Sequence, residues 1–137
     1  MLDTIAREPL WRHLINYRCG TGHSVSHVGN VHEGPHALNG RNTTVFKPGM
    51  IVTDEPGVYE GGVVGIRIEN ELECYHKASN QYGEFLAFRP VMFVPIATSP
   101  IVPGVLSRDE LDWLNAYHRE VFEKLAPRLT EDERAWL

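Results

Sequence analysis

The sequence has only two cysteines, and it lacks both a basic run and a long apolar run. Cys19 and Cys74 form no Cys-x-x-Cys pair, so a thiolate metal site and a disulfide framework are both poorly supported, and a reducing, cytoplasmic setting fits best. Thirteen Lys and Arg against eighteen Asp and Glu give a net charge of −5, which argues against nucleic acid as a partner. No apolar stretch is long enough to cross a bilayer or to form a signal peptide, so we expect no membrane partner.

The overall composition is that of a folded globular chain. Hydrophobic residues make up 42% and charged residues 23% of the 137 residues, which is enough apolar material for one domain or part of a larger one. Histidine is the unusual component, because seven His stand against five Asp and most of the histidines fall between residues 13 and 36. This crowding marks the first third of the chain as the place to look for chemistry.

Hydrophobic periodicity predicts helices at both ends of the chain and strands between them. Apolar residues at helical spacing predict a helix over residues 4–14, although Pro9 weakens that pattern. Residues 107–137 are predicted to form the C-terminal helices. The first of these should span residues 108–125, because Ser107 and Glu110 form a capping-box signature.

The middle of the chain divides into a loop region and a strand region. Residues 19–49 are rich in Gly, His, Asn and Pro and have little periodicity, which indicates loops that could display a site. Residues 50–97 contain three strand-like runs, 50–59, 63–75 and 84–96. Because the connections between these runs are short, we expect antiparallel neighbours.

A histidine cluster lies in the predicted loops. His23 and His27 have the spacing of a helical zinc motif, but that motif needs Glu directly after the first His, and Ser24 stands there. Flanking glycines also argue against a helix. Taken alone, a histidine among glycines is more often a loop residue hydrogen-bonded to the backbone.

Two glutamates in otherwise apolar strand-like runs need an explanation. A buried carboxylate is unfavourable unless it is paired or binds a cation, and this applies to Glu55 and Glu69. One explanation is that Glu69 pairs with Arg67 or Arg41 at a sheet surface. The other is a metal ion shared by both glutamates and His23, and the presence of all three residues favours it.

Three segments resemble the signature blocks of a known family. The segments are GTGHSVSHVGNVHEGP, GMIVTDEPGVYE and GIRIENELEC. In sequence, order and spacing they resemble the aminopeptidase P group, or Xaa-Pro aminopeptidases, of the pita-bread metallopeptidases, and the resemblance extends over the whole chain. It implies an α+β fold in which residues 1–137 form the C-terminal portion of the catalytic domain, an antiparallel sheet flanked by helices.

The resemblance also implies a metal site. His23 matches the metal-binding histidine of the family, Glu55 matches a metal-binding glutamate and general base, and Glu69 matches the glutamate that bridges two metals. This donor set, with one imidazole and several carboxylate oxygens, suits Mn²⁺. Two aspartate ligands of the family precede the metal-binding histidine, and no pair of aspartates here has their spacing. We therefore expect fewer than two ions in this chain.

Further residues match positions that contact the substrate. His32 matches the catalytic histidine that stabilises the tetrahedral intermediate, and Arg67 and Tyr59 match residues that orient ligands or substrate. Cys19 departs from the family pattern, because a substrate-facing histidine usually stands there. The substrate implied is a peptide with proline at its second position.

The resemblance implies that the N-terminal domain and the first half of the catalytic domain are absent from this chain. We therefore expect the chain to be inactive alone, with either a homodimer or a complementing N-terminal part as its partner. Two alternatives remain. A pita-bread domain can serve as a non-catalytic interaction module. A prolidase-type Xaa-Pro dipeptidase is the nearest rival among hydrolases, and the segments NVHEGP and DEPG distinguish this chain from it. Loss of metal ligands would favour the module, but all three that fall within this chain are present.

Overall fold

The computed structural model describes residues 1–137, which form two compact units, Met1–Met92 and Phe93–Leu137. The first unit contains one helix, α1 (Leu2–Trp11), and seven strands. The strands are β1 (Gly22–His23), β2 (Ala37–Leu38), β3 (Ile51–Asp54), β4 (Gly57–Glu60), β5 (Val64–Arg67), β6 (Asn70–Asn80) and β7 (Gly83–Pro90). The second unit contains α2 (Arg108–Leu125), a short 3₁₀ turn and α3 (Glu131–Trp136). Helices and antiparallel strands together confirm the α+β class.

Helix α1 begins and ends earlier than the predicted range 4–14. It starts directly after Met1, with the carboxylate of Asp3 in its first turn, where a negative charge is favoured by the helix dipole. Leu14 adopts a positive φ of 59°, which is incompatible with continuation of the helix. Pro9 lies within the last turn, so the helix ends soon after it.

The strands of the first unit pair antiparallel, as their short connections predict. One sheet has the order β3-β6-β7, and two strand pairs, β1-β2 and β4-β5, accompany it. Strand β1 approaches β3 through a bridge between Ser24 and Val52. Strand β6 pairs with β7 in a long hairpin that carries a register shift between His76 and Ala78.

Two of the predicted runs are each divided into two strands. The run 50–59 becomes β3 and β4, interrupted at Glu55 and Pro56, and the run 63–75 becomes β5 and the first part of β6, interrupted at Ile68 and Glu69. Proline cannot donate a ladder hydrogen bond, which explains the first break. Both interruptions coincide with the predicted ligand residues, so these side chains stand where the strands change partners.

The core of the first unit is small and lies beneath β1 and β3. Val52 and Cys74 are completely buried, and the hydroxyl-bearing residues Thr21 and Thr53 are nearly so. All four residues of strand β5 are exposed.

Helix α2 begins where the capping box predicts. The Ser107 hydroxyl accepts a hydrogen bond from the Glu110 backbone N–H at 3.3 Å, and the Glu110 carboxylate accepts one from the Ser107 N–H at 2.7 Å. Its buried stripe includes Leu114 and Tyr117, and the Tyr117 hydroxyl donates to the Val94 carbonyl at 2.7 Å. No helix of the structure is long and apolar enough to cross a membrane.

Candidate metal and substrate site

Strands β1 and β3 approach each other unusually closely at the candidate site. A Cβ added to Gly22 would lie 1.8 Å from the Thr53 carbonyl oxygen, far inside any permitted contact. Only glycine therefore allows this approach. It places His23, the next residue of β1, directly against the end of β3, where Glu55 follows.

His23 and Glu55 form the centre of the site. The His23 Nε2 atom lies 3.0 Å from Glu55 Oε1, and both side chains are largely buried, with exposed fractions of 19% and 14%. The other oxygen, Oε2, accepts a hydrogen bond from Arg67 Nη1 at 2.8 Å. The Glu55 backbone N–H donates to the Thr21 carbonyl at 2.7 Å. Both the backbone and the carboxylate of Glu55 are thus held in place.

The tautomer of His23 follows from its other nitrogen. The Nδ1 atom lies 3.0 Å from the Ser24 carbonyl, which can only accept, so Nδ1 carries the proton. In a neutral ring, Nε2 then offers a lone pair toward a carboxylate oxygen at 3.0 Å. Two acceptors facing each other repel, and a cation between them, either a proton or a metal ion, removes the repulsion.

The donor chemistry of this pair fits a divalent metal ion. One imidazole nitrogen and one carboxylate oxygen are donors that Mn²⁺ accepts, and adjacent ligands of an octahedral ion lie about 3 Å apart. The observed separation of 3.0 Å matches that value. However, no three His, Cys, Asp or Glu side chains of the chain are grouped so that they could hold one ion. The chain therefore supplies a two-donor core rather than a complete coordination shell.

Arg67 connects this pair to Glu69. Its Nη1 atom lies 3.9 Å from Glu69 Oε2, so the pairing that the sequence left open as an alternative is present as a loose contact. Arg41 is not part of it. Desolvation alone would lower the pKa of Arg67, but hydrogen bonding to Tyr59 and the charges of Glu55 and Glu69 raise it overall. The guanidinium stays charged and lies 5.7 Å from the Tyr59 ring centroid.

The remaining predicted residues line the same cavity. The His32 ring stacks on the His23 ring with centroids 3.7 Å apart, and Cys19 is exposed at the cavity wall. The cavity has a volume of about 330 Å³ and is lined by Cys19, Gly20, Gly22, His23, His32, Asn39, Glu55 and Arg67. Five of the seven predicted site residues thus meet at one open cavity, with Tyr59 and Glu69 attached to it through Arg67.

A buried network behind the site was not predicted from the sequence. The carboxylate of Asp3 accepts hydrogen bonds from Arg7 at 2.9 Å and from the Thr21 hydroxyl at 2.5 Å. Arg7 also donates to the carbonyls of Tyr17 and Cys19. Burial raises the pKa of Asp3, but the hydrogen bonds from Arg7 and Thr21 outweigh it, so the pKa is lowered overall. The network ties α1 to the loop that leads into β1.

Thr53 is a further residue of the site that was not predicted from the sequence. It is 97% buried, and its hydroxyl lies between His23 and Glu55. The available signal was its position two residues before Glu55, because such residues share one face of a strand. The pattern alone did not distinguish a polar contact from an ordinary core threonine.

Comparisons with known proteins show what the chain is similar to. The model of metallopeptidase family M24 matches residues 1–75, and the model of the C-terminal region of peptidase M24 matches residues 84–137. A probable Xaa-Pro aminopeptidase P from Coprinopsis cinerea is 44% identical over all of this chain and 23% of its own length. Aminopeptidase P2 from Arabidopsis thaliana is 46% identical over 94% of this chain and 19% of its own length.

A solved structure has the same fold. The crystal structure of X-prolyl aminopeptidase from Caenorhabditis elegans, described as a cytosolic enzyme with a di-nuclear active site, matches with a TM-score of 0.86 and 38% identity. The match covers 98% of this chain and 23% of that one. It confirms the expected C-terminal portion of a pita-bread fold. The chain spans about a fifth of the length of the relatives that it matches.

Proposed function

Because the chain belongs to metallopeptidase family M24, we propose that it supplies part of the metal centre and substrate site of an aminopeptidase that removes an N-terminal residue preceding proline. The observation that carries this proposal is the His23–Glu55 pair, in which an imidazole nitrogen lies 3.0 Å from a carboxylate oxygen. Both atoms can bind the same divalent cation, because this separation matches that of adjacent ligands. The relatives named Xaa-Pro aminopeptidase P support the substrate class.

Residues His23, Glu55 and Glu69 would hold the metal, with Mn²⁺ as the proposed ion because the donors are mostly oxygen. When bound, such an ion lowers the pKa of a water molecule and polarises the scissile carbonyl. The two carboxylates and the imidazole do not surround one position in the structure. Glu69 therefore has to shift away from Arg67 to join His23 and Glu55. Its side chain is 38% exposed, which leaves room for that movement.

The chain also supplies groups that handle protons and orient the substrate. Glu55 is placed to accept a proton from the attacking water and to pass it to the leaving amine. Its two oxygens already have hydrogen-bond donors, so the carboxylate needs little rearrangement. His32 can donate a hydrogen bond to the oxygen of the tetrahedral intermediate, and its ring is held against His23.

Two free cysteines are compatible with a cytosolic setting like that of the Caenorhabditis elegans enzyme.

A chimera tests this proposal most directly, because the chain covers only about a fifth of its relatives. The corresponding segment of the Caenorhabditis elegans enzyme is replaced by these 137 residues, and release of the first residue from an Xaa-Pro peptide is measured with Mn²⁺ present. We expect cleavage by the chimera, a loss of at least 10³-fold in kcat with Glu55→Ala, and no cleavage by the 137-residue chain alone. An Xaa-Ala peptide is the substrate control.

Two results would contradict the proposal. One is a chimera that folds and holds metal but does not cleave Xaa-Pro peptides. The other is a chimera whose activity is unchanged by Glu55→Ala, which would mean that this site is not the reacting centre.

A further inference from the structure

We propose that Thr53 is a positioning residue that sets the orientation of the Glu55 carboxylate through a single hydroxyl shared with the His23 backbone. This inference rests on the proposed function, because it concerns Glu55 as a metal ligand. Thr53 does not line the cavity, and it acts only through the two residues that its hydroxyl contacts, His23 and Glu55.

The direction of the hydrogen bonds at Thr53 is fixed by the partners. The His23 backbone N–H can only donate, and it lies 3.0 Å from Thr53 Oγ1, so the hydroxyl oxygen accepts there. The hydroxyl proton is then free for the other partner, Glu55 Oε1, at 2.9 Å. This hydrogen bond fixes the direction in which the Glu55 carboxylate points.

The same oxygen of Glu55 faces the imidazole. Glu55 Oε1 accepts from Thr53 and lies 3.0 Å from His23 Nε2, while Oε2 is held by Arg67. The Arg67 side chain is 39% exposed and its contact with Glu55 faces solvent, whereas Thr53 is 3% exposed and its contact with Glu55 is partly buried. We infer that the less exposed Thr53 contact is the more rigid of the two and determines which oxygen points at His23.

The backbone around Thr53 makes this arrangement specific. The close approach of β1 at Gly22 brings the His23 N–H within reach of the Thr53 hydroxyl. Thr53 is also β-branched, so its χ1 rotamer is restricted, and the hydroxyl has one preferred direction in the strand. One buried side chain thus couples the position of the His23 backbone to the rotamer of Glu55.

The test is a titration of the 137-residue chain with Mn²⁺. Binding is detected by the loss of the electron paramagnetic resonance signal of the free ion, a method that also measures weak binding. Thr53→Val keeps the shape of the side chain and removes the hydroxyl. Thr53→Ser keeps the hydroxyl and removes the methyl group. We expect Thr53→Val to weaken Mn²⁺ binding at least tenfold and Thr53→Ser to bind within about threefold of the unaltered chain, because residues that orient ligands typically affect metal affinity by about 10- to 100-fold.

Thr21→Val is the matched control for loss of a buried hydroxyl. The Thr21 side chain is 1% exposed and its hydroxyl contacts Asp3 and Tyr17, but it does not touch the Glu55 side chain. We expect this variant to lose stability in urea without a comparable loss of Mn²⁺ affinity. A purely structural role of Thr53 would make the two valine variants behave alike in both measurements.

The outcomes separate this inference from the proposed function. Unchanged Mn²⁺ affinity in Thr53→Val, with loss of binding in Glu55→Ala, would overturn the role of Thr53 alone. Equal Mn²⁺ binding by the Glu55→Ala chain and the unaltered chain would overturn the proposed function and this inference with it. If the unaltered 137-residue chain binds no Mn²⁺, the same variants are compared in the chimera, where unchanged Mn²⁺ affinity of Thr53→Val would overturn the inference. If Thr53→Val does not fold, failure of Thr53→Ser to retain affinity in a folded chain would overturn the inference.

Discussion

Replacing Gly22 with alanine should separate the two strands that form the site. The added Cβ would lie 1.8 Å from the Thr53 carbonyl oxygen and 2.7 Å from its carbonyl carbon, and both are backbone atoms that no rotamer change can move. Ordinary contact begins at about 3.4 Å, so β1 and β3 must move apart by about 1.6 Å. A displacement of that size is larger than any hydrogen bond between the strands can tolerate.

The magnitude follows from the contacts that such a displacement breaks. The His23 N–H to Thr53 hydroxyl bond is 3.0 Å long, and the Glu55 N–H to Thr21 carbonyl bond is 2.7 Å long. Each is worth about 1 kcal/mol, and overpacking against backbone adds about 1–3 kcal/mol. We therefore expect Gly22→Ala to lower the free energy of unfolding by about 3–5 kcal/mol and to weaken Mn²⁺ binding at least tenfold.

Gly20→Ala is the control for this prediction. A Cβ at Gly20 would meet its nearest neighbour, Asn39 Cβ, at 3.7 Å, which is ordinary contact, and its backbone has no positive φ. We expect a change within about 0.5 kcal/mol. The assay is urea unfolding followed by circular dichroism, together with Mn²⁺ titration of the folded variants. Equal stability of the Gly20→Ala and Gly22→Ala chains would refute the reasoning, because the close approach would then not constrain the site.

Two further predictions concern the elements around the site. Asp3→Asn should lower the free energy of unfolding by about 2 kcal/mol at pH 7, because the ionised carboxylate binds Arg7 and Thr21, and urea unfolding as a function of pH measures it. Since the pKa of Asp3 is lowered in the folded chain, this difference should be complete above about pH 5 and vanish as the pH falls through that pKa; a constant difference down to pH 2 would contradict it. Ser107→Ala should destabilise α2 by about 1 kcal/mol through loss of the capping box, measured by amide exchange in its first turn, whereas the exposed Ser99→Ala should have no effect.

The sequence predicted the residues of the site better than their contacts. The resemblance to a family predicted His23, Glu55 and Glu69 as metal ligands, and the structure brings the first two side chains together, while their metal binding stays a prediction. Their contact depends on the close approach of β1 and β3 at Gly22, a non-local feature that no periodicity reveals. The grouping of Glu69 with the other ligands was expected and is not present in the structure.

In the fold, too, features that depend on neighbouring residues were predicted from the sequence, and features that depend on distant residues were not. The capping box at Ser107 placed the start of α2, because that signal is contained in four consecutive residues. The breaks at Glu55 and Ile68 were not predicted, because an apolar run does not show where a strand changes partners. The exposure of β5 could not be predicted either, since alternation shows which residues share a face but not whether that face is covered.

The most direct test of the central claim is to locate a bound metal ion. Crystals of the chain soaked in Mn²⁺ would be measured at an X-ray wavelength at which manganese scatters anomalously. The account predicts an anomalous peak between His23 Nε2 and the Glu55 carboxylate, absent from Glu55→Ala crystals. A peak elsewhere with none at this pair, or a His23–Glu55 contact that remains at 3.0 Å without an ion at saturating Mn²⁺, would contradict it.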